Sequence, residues 1–194
     1  MRESFRQEIM SLASKELANN GVENLSLRQI ATSLGCSIGT IYLYFKEKQA
    51  LVDAVIEHSF DDLYEALKSV RATADPIERL RSNFVAYVEF GLRNPNHYRC
   101  AFGLPSTVRD KPYQPHKAFD VLREMTDACI DHKLFRRIDR SAASQVIWIS
   151  AHGLTSLLIV RPNFPWVTRR TLIREVFDNT VTGLLAPTRL PKKK

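Results

Sequence analysis

The stretch Ser26–Leu51, SLRQIATSLGCSIGTIYLYFKEKQAL, decides the architecture of this chain. It reads as two short helices joined by a tight turn. Ser26 is placed to cap the first helix, its hydroxyl accepting from an N–H of the first turn that has no partner inside the helix. Leu27, Ile30, Ala31 and Leu34 then recur at helical spacing and form one stripe to bury. Gly35 follows where a helix end calls for a left-handed residue. Cys36 occupies the turn, and Ser37 repeats the capping role for a second helix over 38–45. That helix turns Ile41 and Phe45 inward, with Ile38 as a third candidate. Gly39, Thr40, Tyr42, Leu43 and Tyr44 are left on its other face.

The outward face has the chemistry of a helix-turn-helix reader of the DNA major groove. Gly39 lets the backbone approach a phosphate or base edge. Thr40 can donate or accept, and its methyl can touch a thymine methyl. The Tyr42 and Tyr44 hydroxyls can reach phosphate oxygens, Lys46 and Lys48 can neutralise phosphates beside the groove, and Arg28 can pair with guanine or phosphate.

Taken whole, the string closely resembles the DNA-binding domain of the TetR family of transcriptional regulators. The family pattern runs from LSLRQIA through G-x-S-x-G-T-[IL]-Y to Y-F-x-x-K-x-x-L, and it is matched by Leu25 to Ala31, Gly35, Ser37, Gly39, Thr40, Ile41, Tyr42, Tyr44, Phe45, Lys48 and Leu51. The preceding helix of that domain corresponds to Arg2–Asn20, with Phe5, Ile9, Leu12, Ala13 and Leu17 on one face and Gly21 as its stop. The resemblance implies that Thr40, Tyr42 and Tyr44 contact DNA and that Lys48 meets phosphate at the start of a fourth helix. With the capping Ser26 and Ser37, the expected DNA-facing set is Ser26, Arg28, Ser37, Ile38, Gly39, Thr40, Tyr42, Tyr44, Lys46 and Lys48. Ile38 departs from the family, which often has a polar or basic residue there, and so favours an apolar or backbone contact.

Charge does not carry the DNA argument. The net charge is +7, but residues 1–48 hold +1, residues 49–160 are neutral and residues 161–194 hold +6. The basic excess sits at the far end of the sequence from the reading head, and the tail PTRLPKKK reads as a solvated end. No run of about 18 apolar residues stands out, so no membrane-crossing helix is expected. The N-terminus has no signal-peptide core, which points to a cytoplasmic protein. Cys36, Cys100 and Cys129 form neither a disulfide framework nor a metal spacing and read as inert buried thiols.

The remainder is a succession of helices without strand-like alternation. A long helix runs from Lys48 to about Arg71. Asp75 and Pro76 open one that reaches Arg93, and Asn94–Pro95 breaks it before a short helix over 96–102. A loop over 103–115 carries three prolines. Helices follow over 115–131, 140–160 and 168–185. The chain is therefore expected to be all-α with about nine helices. Residues 1–48 form a three-helix helix-turn-helix domain, residues 49–188 a helical ligand-binding and dimerisation domain, and residues 189–194 a basic tail.

In the last helix, apolar residues fall in adjacent pairs every four positions, giving an arc wide enough to need cover on two sides. One cover is the protein's own core and the other a second copy, for which Leu172, Val176, Phe177, Thr180 and Leu184 are the candidates. The resemblance supports this homodimer, because TetR-like proteins typically pair through their last two helices. Within QVIWISAHGLTSLLI (145–159), Trp148, His152 and Gly153 match the W-x-x-x-H-G signature of one C-terminal subtype of that family. Phe84, Tyr87, Phe90, Tyr98, Phe102, Trp148 and His152 are the candidates to line an effector pocket, and the aromatic ones are equally suited to fill a core.

No HExxH pair, phosphate loop or G-x-S-x-G nucleophile turn is present, so neither enzymatic activity nor a metal or other cofactor is expected. The expected partners are double-stranded DNA, a second copy and a small, largely hydrophobic effector, with no membrane. The expected function is a ligand-responsive regulator, a repressor released from a palindromic operator. The alternative is a constitutive DNA-binding or interaction-only dimer without an effector.

Overall fold

A computed structural model describes residues 2–71, 73–103 and 115–187. Among these, the elements are α1 (Arg2–Asn20), α2 (Leu27–Ser33), α3 (Ile38–Tyr42), α4 (Lys48–Lys68), α5 (Pro76–Arg93), α6 (Pro95–Gly103), α7 (Lys117–Asp131), α8 (Arg140–Val160) and α9 (Arg169–Leu184). The described residues hold no strand beyond one isolated bridge between Phe135 and Leu185. Most of the proline-bearing loop after Gly103 and the basic tail lie outside them.

Two compact units divide the chain: Met1–Asp62 with Asn94–Tyr113, and Leu63–Arg93 with Gln114–Lys194. The first unit gathers α1, α2, α3, the N-terminal part of α4, and α6 around one core. Ile9, Ala13 and Leu17 of α1 meet Ile30 and Ala31 of α2, Ile41 of α3, Phe45, and Leu51, Val52 and Val55 of α4. α6 joins through Cys100, whose buried thiol donates to the Ser14 carbonyl at 3.5 Å. Leu12 is only half-buried at the margin of this core.

The turn between α2 and α3 is fixed by backbone chemistry. Gly35 takes φ +64°. Its N–H reaches the Thr32 carbonyl at 3.1 Å, and the Cys36 N–H reaches the Ala31 carbonyl at 2.9 Å. These are the two bonds that close a helix through a left-handed residue. α3 is shorter than the sequence pattern suggests. It ends at Tyr42, and Tyr44 and Phe45 close a turn by both donating to the Ile41 carbonyl.

The second unit is built on α5, which packs against α7, α8 and α9, while α8 also packs against α7 and α9. Asp75 caps α5 by accepting from Ile77 N–H at 2.8 Å, and Pro76 takes the first helical position. Asp139 caps α8 in the same way through Ala142 N–H at 2.8 Å. Phe84 and Phe177 meet edge to face with centroids 5.4 Å apart, and the Arg81 guanidinium lies 4.4 Å from the Phe177 centroid while pairing with Asp178 at 2.7 Å.

Two helices differ from what the sequence suggests. By length and composition α8 is apolar enough to cross a membrane. Its polar residues hid this from a search for an unbroken apolar run. Here Ala143, Ile147, Ala151 and Leu154 are buried within the unit, so one side of the helix belongs to the unit's core. On α9, Phe177 and Leu184 are 1% and 3% exposed and fill the unit's own interior, so they offer nothing to a second copy. Adjacent pairs straddle the helix, and of the five candidates only Leu172, Val176 and Thr180 keep partial exposure.

The end of α7 holds a misfit. Leu134 N–H bonds to the Cys129 carbonyl and Lys133 N–H to the Ile130 carbonyl, both at 2.9 Å, which is the same closing motif as at Gly35. The left-handed position is filled by Lys133, at φ 55°, where a side chain costs about 1 kcal/mol relative to glycine. Lys133→Gly is therefore expected to raise stability by up to about 1 kcal/mol in urea unfolding, less the entropy glycine returns to the unfolded chain. A clear loss of stability would contradict this account of the turn.

Candidate nucleic-acid interface

The helix-turn-helix residues are held from beneath and left open above. Ser26 caps α2 by accepting from Gln29 N–H at 3.3 Å, and Ser37 caps α3 by accepting from Thr40 N–H at 3.2 Å. The Thr40 hydroxyl lies 3.0 Å from Ser37 Oγ, so cap and threonine are oriented as a pair. Below them Ile41 is fully buried and Phe45 nearly so, with the Arg6 guanidinium 5.1 Å from the Phe45 centroid. Above them Arg28, Ser37, Gly39 and Lys46 are exposed, and Ile38 and Tyr42 are 37% and 46% exposed.

Two expected contacts have further attachments. Tyr44 is half-buried, its ring 5.4 Å from that of Phe5 on α1. Its body packs, which leaves the hydroxyl as the part able to reach outward. Lys48 Nζ donates to the Glu23 carbonyl at 3.2 Å, fastening the first residue of α4 to the segment between α1 and α2. Its charge stays in the neighbourhood of the reading head, but the ammonium already has a protein partner. The sequence reading left Leu43 out of the contact set, yet at 78% it is the most exposed large apolar residue described. Its signal lies in the sequence: it stands between the outward Tyr42 and the inward Phe45.

Gly39 is not required by the fold. A Cβ there would meet only Ser37 Oγ at 3.5 Å, an ordinary contact. The advantage of a missing side chain at this position has to come from whatever approaches the face from outside.

The second unit brings together some of the expected effector residues. Trp148 Nε1 donates to Tyr87 Oη at 3.3 Å, Tyr87 Oη lies 3.2 Å from His152 Nδ1, and His152 Nε2 lies 3.3 Å from Ser156 Oγ. A neutral His152 carrying its proton on Nε2 uses the indole, phenol and imidazole hydrogens in turn: indole to phenol, phenol to Nδ1, Nε2–H to the serine oxygen. Phe119 meets Trp148 edge to face at 5.6 Å. Phe84 and Phe90 are buried in the same unit. Tyr98 and Phe102 are not part of this group. They belong to the first unit, where Phe102 packs on Phe60 at 5.2 Å and on Tyr98 at 4.8 Å. A residue missed from sequence is Asn83, one turn before Tyr87 on α5. It is 5% exposed, and its amide nitrogen has no hydrogen-bond partner among the described residues.

Two of the three cysteines, Cys100 and Cys129, are buried thiols, whereas Cys36 in the turn is only half-buried, contrary to expectation. All three are unpaired, and burial pushes the Cys100 thiol up and the Cys129 thiol, beside Asp75, up to about 12. Neither of those two forms a thiolate near neutral pH.

A capped, two-helix reading head on a packed three-helix base defines a helix-turn-helix regulator. Residues 9–55 match the family described as bacterial regulatory proteins, tetR family, and residues 80–184 match a tetracyclin repressor-like C-terminal domain. The chain belongs to the TetR family, whose members are transcriptional regulators. It is 33% identical over 87 residues to the HTH-type transcriptional repressor KstR2 of Mycolicibacterium smegmatis, covering 44% of this chain and 42% of that protein. It is 38% identical over 66 residues to the HTH-type transcriptional regulator SAUSA300_2515 of Staphylococcus aureus, covering 34% and 36%. The chain thus spans less than half the length of the curated relatives it matches. The fold agrees over nearly the whole chain with a Rhodococcus protein of unknown function (TM-score 0.77, 23% identity, 93% of this chain and 95% of that one). It agrees likewise with the TetR family regulator PfmR of Thermus thermophilus (TM-score 0.68, 21% identity, 92% and 99%).

Burial holds the His152 pKa below its ordinary value. The unfolded chain, with this histidine near about 6.5, then takes up a proton before the folded one does. Stability from this site is complete above that pH and is lost as pH falls through it toward the folded value. Urea unfolding at about pH 7.5 and about pH 5.5 should show a drop that shrinks in His152→Gln. An unchanged drop would place the acid sensitivity elsewhere.

Proposed function

We propose that the chain is a ligand-responsive transcriptional repressor that reads a short inverted-repeat DNA site as a homodimer and is released by a largely hydrophobic effector. The observation that carries the DNA reading is the outward face of α3. Ile38, Gly39 and Tyr42, with Leu43 just past the helix end, are left uncovered beside Ile41, the fully buried inner residue. Thr40 and Tyr42 read bases, the Ser37 hydroxyl and Lys46 bind phosphate, and Arg28 flanks them. Two such heads on a two-fold dimer meet successive major grooves about 34–36 Å apart. A protein with this task works beside the chromosome, in the cytoplasm.

Selection from a random DNA library is expected to return an inverted repeat, with affinity falling steeply as salt rises. Thr40→Ala should relax base preference. Lys46→Ala should weaken binding to all sequences alike and reduce the salt slope by about one. Gly39→Ala should leave the melting temperature equal or higher, since alanine is favoured over glycine in a helix by up to about 1 kcal/mol, while operator affinity falls. A library without an inverted repeat sinks the reading.

For the effector, support comes from the second unit. Trp148, Tyr87 and His152 form a polar thread among aromatic side chains, and Asn83 adds a buried donor. Apolar surroundings with a few placed polar groups are what small-molecule sites offer. Trp148 and His152, followed by Gly153, also match the W-x-x-x-H-G signature, and we read the domain as that subtype. An effector bound here favours one of two states, and a coupling of roughly 1–3 kcal/mol changes operator affinity about 5- to 150-fold.

An amide without a partner, as Asn83 is among the described residues, costs about 1–3 kcal/mol where nothing else satisfies it. Asn83→Leu is therefore expected to raise the melting temperature while blunting release from DNA by acceptor-bearing apolar compounds. If such compounds still release the variant fully, Asn83 is not part of the effector site.

A further inference from the structure

In the first unit, two histidines close on one carboxylate. His58 and Asp62 stand one turn apart on α4, and His97 comes from α6. His97 Nδ1 lies 2.8 Å from one oxygen of Asp62, a hydrogen bond. His58 Nδ1 lies 3.9 Å from the other oxygen, too far for one. The two imidazole planes are inclined at 54°, with centroids 6.0 Å apart. The side chains of His58, Asp62 and His97 are 41%, 36% and 29% exposed, so solutes reach the cluster without any unfolding. The helices that carry it are both tied down within the unit. Lys48, the first residue of α4, holds the Glu23 carbonyl, and Cys100, three residues after His97 on α6, donates to the Ser14 carbonyl of α1. His58 and His97 are far apart in the chain, so no close metal-binding spacing marks them in the sequence.

We propose that His58, Asp62 and His97 bind a divalent transition-metal ion of the zinc, cobalt or nickel class. Two imidazoles and one carboxylate are a donor set such ions take, whereas magnesium and calcium prefer oxygen alone. With bonds of roughly 2.0–2.2 Å in a tetrahedral array, neighbouring donors lie about 3.3–3.6 Å apart. The two nitrogen–oxygen separations at Asp62, 2.8 and 3.9 Å, straddle that value. The same bonds put two imidazole centroids about 5 Å apart, so the rings at 6.0 Å need to close by about 1 Å. Turning the two side chains covers that distance. For the ion to bind at His97 Nδ1, the proton there has to leave, and the neutral ring then carries it on Nε2 instead. Three protein donors leave at least one position to water, unlike the four-donor sites of purely structural zinc. The ion therefore exchanges with solvent and acts as a reversible brace between α4 and α6, inside the unit that holds the reading head. This site is separate from the Trp148–Tyr87–His152 thread and does not depend on an effector there.

The test uses the full chain with Cys36→Ser, which removes the half-buried thiol, freed of metal by a chelator. Titration calorimetry with Zn²⁺ should show one saturable site per chain at micromolar ion, unaffected by excess Mg²⁺. His58→Gln, Asp62→Asn and His97→Gln should each weaken Zn²⁺ binding by more than the roughly 10–100-fold that losing an outer partner of a metal ligand costs. His132→Gln, just past the end of α7 and exposed, should leave the affinity unchanged. Zn²⁺ should raise the melting temperature of the parent but not of His97→Gln, whose amide can still donate to Asp62. Circular dichroism verifies that each variant is folded. In the parent itself, Zn²⁺ should shift the ring-proton resonances of two of the five histidines, a readout that needs no variant. A parent with no saturable site, or a site that survives all three substitutions, overturns the proposal.

Discussion

A helix of five residues has no stability of its own in water, because nucleation costs more than so few backbone bonds return. α3, which carries the reading face, is such a helix. Its shape is imposed from below by the fully buried Ile41 and the nearly buried Phe45, and from its start by Ser37. Those anchors hold only because Ile9, Ala13 and Leu17 of α1 and Leu51 and Val52 of α4 close around them. Truncating Ile41 would remove about 2–5 kcal/mol from a unit that has little more to lose. The outward residues are consequently free to be chosen by what they touch.

Much of this was legible in sequence because each decisive element carries its own punctuation. Asp75–Pro76 and Asn94–Pro95 fix the ends of α5, and Asp139 fixes the start of α8. Gly21 and Gly35 mark left-handed turns at φ 75° and 64°. What was not legible concerns choices that periodicity leaves open. On α9 the pairs Val176–Phe177 and Leu184–Leu185 look equivalent in sequence, and only the neighbouring Phe84 shows that Phe177 is the inward member. Tyr98 and Phe102 follow α5 closely in sequence, yet they pack in the first unit with Phe60, on a helix remote in the chain. Asn83 was invisible because an asparagine on an amphipathic helix is ordinarily solvated, and its burial depends on what covers α5.

The second unit carries a tension. Its interior is apolar, yet it holds the Trp148–Tyr87–His152–Ser156 thread and the Asn83 donor. An apolar replacement of the orphaned amide would fold at least as well. Satisfied polar threads make a core particular about its arrangement, since each partner tolerates little displacement before a bond is lost. A core of this kind suits a domain that must distinguish two states more than one that must only be stable.

Val146, Ile149, Leu157 and Val160 form an exposed outer face on α8, which has no Asp, Glu, Lys or Arg from Ser141 to Val160. Specificity between related proteins is usually enforced by groups that repel the wrong partner, and a stripe of Val, Ile, Leu, Ser and Gly contains none. Whatever covers this stripe is therefore selected by shape alone along most of the helix, and charge can discriminate only at its ends, where Arg140 and Arg161 stand.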